Sequence, residues 1–271
     1  MNLAIRVYGL SGIALGTLGL IWGDFAGIWQ PVPTETPGRT GLAYAAAVLS
    51  LAGGAALQWR RSVPVGAALL ALLHLAFTAL WARRIIGFPE MIGTWSGTAE
   101  PLAMALGAVA SYAAIHPERP ASARLAQSAR ILFGLCLIAF GLAHFLAAAE
   151  TAVLVPGWIP PNQHFWAFAT GLFHLLAGGA LVSNIRAVLA ARLLTIMFVG
   201  FGLLVWAPQL FLYPKIHMVW AGNAINFAMI AAAWAMAHCI ALFSGRETGP
   251  GAAGASLASE VRGGTMGMHE G

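Results

Sequence analysis

The second half of this chain repeats the first at an offset of about 125 residues, through a series of strongly hydrophobic segments. Leu51-Ala-Gly-Gly-Ala returns as Leu176-Ala-Gly-Gly-Ala, Trp81 as Trp206, Pro89 as Pro214, and Trp95-Ser-Gly97 as Trp220-Ala-Gly222. Two copies of one unit therefore stand head to tail, with residues 1–118 as the first and 119–244 as the second. Each copy holds four hydrophobic segments, so equivalent helices run in the same direction. The two units should be related by a pseudo-two-fold axis along the membrane normal.

Composition places these segments in a bilayer. The hydrophobic fraction is 59%, the charged fraction 8% and the mean hydropathy +0.79, more apolar surface than a soluble domain could cover. A span needs about 20 apolar residues. Such spans are read near 7–29, 41–58, 64–82, 98–115, 131–150, 164–182, 188–207 and 220–243. The expected fold is all-α, eight transmembrane helices in two tandem four-helix bundles. Beyond Ser244 the Gly, Ala and Ser content predicts a disordered cytoplasmic tail over 245–271. Cys136 and Cys239 have no Cys-x-x-Cys spacing and read as packing residues. The first apolar stretch lacks a small-residue cleavage site, so it reads as a span and not as a cleavable signal.

The arginines orient the chain. Arg6, Arg60, Arg61, Arg119, Arg124, Arg130, Arg186, Arg192, Arg246 and Arg262 fall on the side of the N-terminus, against only Arg39, Arg83, Arg84 and Lys215 opposite. Positively charged loops stay inside, which predicts a multi-pass protein of the inner (plasma) membrane with both termini cytoplasmic. The basic balance is then topology and lipid-headgroup anchoring, not nucleic-acid binding. Eight of the ten tryptophans lie toward the outer side, beside the turns at Pro31–Pro33 and Pro156–Pro161. An aromatic belt accounts for part of this asymmetry, and a rigid aromatic lid over the outer mouth, including Trp158 and Trp166, for the rest.

Glycines at steps of three and four (Gly9, Gly12, Gly16, Gly19, Gly23) put a small-residue stripe along the first span, a surface for close helix approach. The stripe recurs as Gly134 and Gly141, and as Gly171 and Gly178. His144 and His174 ride on the same faces, so both rings should enter helix contacts, roughly 9 and 12 Å below the outer boundary at about 1.5 Å per residue. Each could donate across a helix contact, take part in a quinone or proton site, or bind haem or metal. At the repeat offset the first copy carries Gly19 and Leu49 instead, so any such site exists once per chain. His74, at mid-depth in the third span, could reach the same cavity. Asn223 and Asn226 read as interhelical hydrogen-bonders and second-tier site residues. Glu150, with Asp24, Glu90, Glu100, Arg83 and Arg84, falls near the outer interface, where pairing is cheapest. No nucleophile with its base, phosphate loop or zinc signature is present.

Gly141-Leu-Ala-His144-Phe145, Val155-Pro156-Gly-Trp158-Ile-Pro160 and Thr170-Gly171-Leu-Phe-His174-Leu-Leu-Ala-Gly178 resemble the DoxX-like membrane proteins. The likeness runs across about Arg130 to Ile240, with His174 where many relatives carry a glutamate, and reaches the first copy through the repeat. It implies a small integral-membrane subunit or accessory of an oxidoreductase system, with a soluble or membrane redox subunit as partner and a quinone as the cofactor to expect before haem. A carrier for a small hydrophobic solute and a non-catalytic scaffold or assembly factor remain alternatives. Substrate and electron donor are not legible.

Overall fold

The structure is a computed structural model and describes residues 2–247. The expected tail at 245–271 lies almost wholly outside the described residues. Among them the chain is all-helical. Its elements are α1 (Leu3–Trp22), α2 (Arg39–Ala56), α3 (Val63–Gly87), α4 (Ile92–Ile115), α5 (Pro120–Leu146), the short α6 (Ala148–Ala152), α7 (Gln163–Ser183), α8 (Ala187–Phe201), α9 (Ala207–Leu212) and α10 (His217–Glu247). A π-helical turn at Gly202–Trp206 joins α8 to α9, so that Ala187–Leu212 is one continuous segment.

Seven of these helices are long and apolar enough to cross a membrane. The sequence predicts eight, and α2 is the one that falls short: it is long enough at 18 residues but not apolar enough, since it opens on Arg39, which pairs with Asp24. It nevertheless lies antiparallel along α1, from Gly9 beside Gly54 to Gly19 beside Ala47. The first span also ends earlier than 29. Gly23 takes a left-handed φ of 61° and its N–H caps Gly19, which stops α1 at Trp22. A separate 3-10 turn, Gly27–Trp29, then carries the chain toward α2.

Small residues set the helix packing. In lipid the hydrophobic effect does not draw helices together, so contact depends on close-range dispersion and interhelical hydrogen bonds, which small side chains permit. A Cβ on Gly16 would lie 2.6 Å from both the Ala47 carbonyl oxygen and the Leu51 nitrogen. The same meshing joins α5 to α7, where a Cβ on Gly178 would stand 2.7 Å from the Gly134 carbonyl oxygen. At the centre of the molecule α4 and α10 meet through alanines, with Gly107 against Ala232. These two helices are the most enclosed, 67% and 56% buried over their apolar windows, whereas the α8–α9 segment is 17% buried and presents most of its surface to lipid.

The remaining contacts place the two halves. Within the first, α1 packs on α2, α2 on α3 and α3 on α4; within the second, α5 packs on α7, α7 on α8 and α8 on α10. Between them, α1 lies on α10 and α4 on α5. The buried Tyr8 of α1 donates to the Met104 carbonyl of α4 at 2.5 Å. Cys136 and Cys239 are both buried in the core.

Gly16→Ala should lower stability by about 1 to 3 kcal/mol, because the clash is with backbone and cannot be relieved by a rotamer change. Gly41→Ala, where an added Cβ meets nothing within 4 Å, is the matched control and should leave the melting temperature in detergent unchanged.

Candidate functional site

The repeat is not uniform, and its irregularity makes a cavity. Between α1 and α5 the buried positions match at the full offset: Tyr8 with Phe133, Gly9 with Gly134, Gly16 with Gly141. Through the next two helices they match one residue earlier. Ala43, Ala47 and Ser50 of α2, and Leu57 just after it, correspond in burial to Ala167, Gly171, His174 and Leu181 of α7. Likewise Ala67, Leu70, His74 and Phe77 of α3 correspond to Ala191, Leu194, Phe198 and the partly buried Phe201. The identical Leu51–Ala55 and Leu176–Ala180 pentapeptides are therefore not in equivalent places, and the partner of His174 is Ser50, not Leu49.

The π-turn restores the phase. Gly202–Trp206 takes up one extra residue, with the Ala207 N–H reaching five residues back to Gly202, so that Trp206 again matches Trp81 at the full offset. Both tryptophans then lie on a glycine of the following helix: Trp81 on Gly97, and Trp206 on Gly222, where an added Cβ would fall 2.0 Å from the ring. Two asparagines of α10 hold this region. Asn223 donates to the Trp206 carbonyl at 2.9 Å and Asn226 to the Phe198 carbonyl at 3.3 Å. The reading of both as interhelical hydrogen-bonders matches these contacts.

Beside the π-turn is a cavity of about 430 Å³ between α4, α5, α7, α8 and α10. His144, His174, Trp166 and Asn226 line it. The imidazoles stand 5.1 Å apart between ring centroids, tilted by 42°. Room for His144 comes from Gly171 opposite, where an added Cβ would sit 2.6 Å from the His144 Cβ. In the first copy the small residue is on the other helix, with Gly19 facing Ala47. His174 is 2% exposed and packs edge-to-face on Phe140, with Phe198 and Phe201 tilted beside it.

The tautomer of both rings follows from their partners. His144 Nδ1 lies 2.9 Å from the Phe140 carbonyl oxygen and His174 Nδ1 2.9 Å from the Thr170 carbonyl oxygen. A carbonyl only accepts, so Nδ1 carries the proton and Nε2 of the neutral ring is an acceptor. Neither Nε2 is hydrogen-bonded within the protein, yet no sealed side-chain polar atom among the described residues lacks a partner. Both imidazoles stand in the wall of the cavity.

Other expected residues are placed elsewhere. Trp158 is 73% exposed on its turn and is not part of the wall, although Pro156 and Ile159 of the same turn are. His74 is buried in α3 with Nδ1 on the Leu70 carbonyl, at the position that Phe198 takes in the second copy. Glu150 is exposed on α6, and Asn223 lies just behind the wall. Sequence reasoning misses Glu100 by grouping it with the outer-interface charges. It faces the cavity from α4 of the first half and hydrogen-bonds the Trp29 side chain. Its signal is the carboxylate inside a span, where Ile225 stands in the other copy. Phe198, Phe201 and Trp206 also belong to the wall, and aromatic residues among many others in apolar helices give no local cue.

Among the described residues no group of three His, Cys, Asp or Glu side chains is placed to hold a metal ion. Compared with known protein families, curated proteins and solved structures, the chain has no match.

Asn223→Leu should cost about 0.6 to 1.7 kcal/mol, the range for interhelical hydrogen bonds in membranes. The loss should appear in detergent melting and should bring a change in indole fluorescence, because Trp206 loses the contact that fixes its backbone.

Proposed function

We propose that the chain is a multi-pass membrane protein that binds a quinone-class amphiphile in its second half and serves as the membrane subunit or accessory of an oxidoreductase system. The observation that carries this reading is the pair of imidazoles, each with Nε2 unbonded within the protein, in the wall of a cavity lined mainly by aromatic and aliphatic side chains, with Glu100 and Asn226 as further polar groups. A ring-shaped apolar molecule bearing hydroxyl groups satisfies both demands, since its body meets Phe140, Phe198, Phe201 and Trp206 while a hydroxyl donates to an imidazole. Neutral imidazoles accept through Nε2 and do not donate there, so the reduced, hydroxyl-bearing form is the better ligand. The rings face each other at 5.1 Å, with no slot between them for a porphyrin plane. The resemblance to DoxX-like proteins points to the same class of function.

The tandem arrangement and orientation belong to this reading. Exchange of the halves, α1 with α5, α2 with α7, α3 with α8–α9 and α4 with α10, carries the set of helix contacts onto itself, which supports a pseudo-two-fold axis between α4 and α10. With α2 as an eighth crossing, both termini lie on the arginine-rich side, the cytoplasmic face of an inner membrane. A second reading, a carrier for a small hydrophobic solute, is favoured by one observation: the helix that walls the cavity carries a π-turn there, a local departure from α-helical geometry often found at functional sites.

Purification in mild detergent followed by lipid extraction should recover a quinone. His144→Leu and His174→Leu should each weaken binding of a short-chain quinol about tenfold, the value of one hydrogen bond, while the unliganded melting temperature stays near wild type. Unchanged affinity in both variants would remove the imidazoles from the site. Transport of the compound into vesicles without any redox partner would select the carrier.

Topology has its own check. Reporters fused at Gly245 and near Asn162 should give cytoplasmic and extracytoplasmic signals respectively, and an external signal at Gly245 would refute the eight-crossing arrangement.

A further inference from the structure

At the opposite end of the second half, the N-terminus of α5, the α7–α8 turn and the end of α10 border two adjoining open cavities of about 520 and 460 Å³. The first is walled by Arg119, Arg124 and Arg130, the second by Arg186 and Arg192, and Asn184 and Ser244 line both. Five guanidinium groups thus surround one groove, and among the described residues the only carboxylate in either wall is Glu118. That carboxylate is engaged with His116 and Arg119.

Arg130 is nearly buried, and its guanidinium donates to the Leu181 and Val182 carbonyls at the end of α7, which fixes the floor of the groove. The turn above it holds Asn184 and Arg186 at positive φ of 62° and 52°, with Asn184 at the rim the two cavities share and Arg186 on the second. Apolar surface adjoins the charge: Ile240 and Phe243 on the first cavity, Val188 and Leu189 on the second. All of this lies where four apolar helices end, the level of phospholipid headgroups.

We propose that this groove is a binding site for an anionic phospholipid carrying two phosphates, one in each cavity, with its glycerol and upper acyl segments on the adjoining apolar residues. Guanidinium pairs phosphate oxygens in a bidentate fork, and the two cavities joined through Asn184 and Ser244 supply two such positions side by side. The apolar walls distinguish a lipid from free phosphate, which would gain nothing from Phe243 or Leu189. Charge at this membrane face has a general attraction for acidic lipids, but the paired cavities give it a defined stoichiometry.

The test uses the full chain in neutral detergent, with cardiolipin, phosphatidylcholine or inorganic phosphate added, read by thermal unfolding and by native mass spectrometry. Cardiolipin should raise the melting temperature and remain bound as one molecule per chain, and phosphatidylcholine should do neither. The double variant Arg124→Gln/Arg192→Gln, one exposed arginine from each cavity, should need roughly thirtyfold more cardiolipin, at about 1 kcal/mol per arginine. Arg124→Lys/Arg192→Lys, which keeps the charge, should recover part of that loss and shows that the positions fold normally. Arg60→Gln/Arg61→Gln, on the corresponding side of the first half, should bind as wild type. An equal loss in that control, the same stabilisation by inorganic phosphate, or no effect of cardiolipin would each overturn the proposal.

Discussion

Backbone-to-backbone approach between helices is the constraint on which the rest of this structure depends. Lipid tails solvate leucine as well as a neighbouring helix does, so the bundle is held by short-range contacts that only glycine and alanine leave room for. Gly9, Gly12 and Gly16 on α1 mesh with α2, and Gly134 and Gly141 on α5 mesh with α7, at separations where one methyl group would strike a carbonyl or amide. The alanine-rich α4 and α10 make the central seam by the same means.

The second half has its cavity because two changes coincide. On the α5–α7 seam the small residue moved from one helix to the other, Gly19 giving way to His144 and Ala47 to Gly171, which admits an imidazole without forcing the helices apart. In α8 one added residue is absorbed as a π-turn. Because a π-turn widens the helix and rotates the residues beyond it, Trp206 recovers the position of Trp81 while the wall before it opens. The first half keeps a continuous α3 and fills its interior with Phe25 and Phe77, edge to face at 6.1 Å. The cavity therefore stands in the second half of the chain, whereas the matching interior of the first is filled by side chains.

The two halves are not independent in doing this. Glu100 reaches the cavity from α4, and Trp29, which holds it, also meets Trp206 edge-on at 5.8 Å. The polar groups of the candidate site thus come from both copies, with the histidines on one side and the carboxylate on the other. The cavity thus adjoins the contact between the two halves, where α4 lies on both α5 and α10.

The sequence by itself determined the class, a bundle of apolar helices long enough to cross a membrane, the repeated pattern along the chain and the surfaces on which helices meet. Hydrophobic run length, residue identity at a fixed offset and glycine spacing are local properties of a chain, and a histidine at glycine spacing must face a neighbour. His144 and His174 were legible for that reason. Only the tertiary structure decided which other residues join them. The one-residue phase change through α7 and α8 is invisible in the identical pentapeptides, since burial depends on the facing helix and not on the matched letters. Glu100 and Trp206 enter the site from elements far apart in sequence, and Trp158 leaves it because its turn points outward. A lone Asn or Phe within an apolar helix carries no sign of its partner: periodicity selects the face of a helix, whereas the packing of whole helices selects what that face touches.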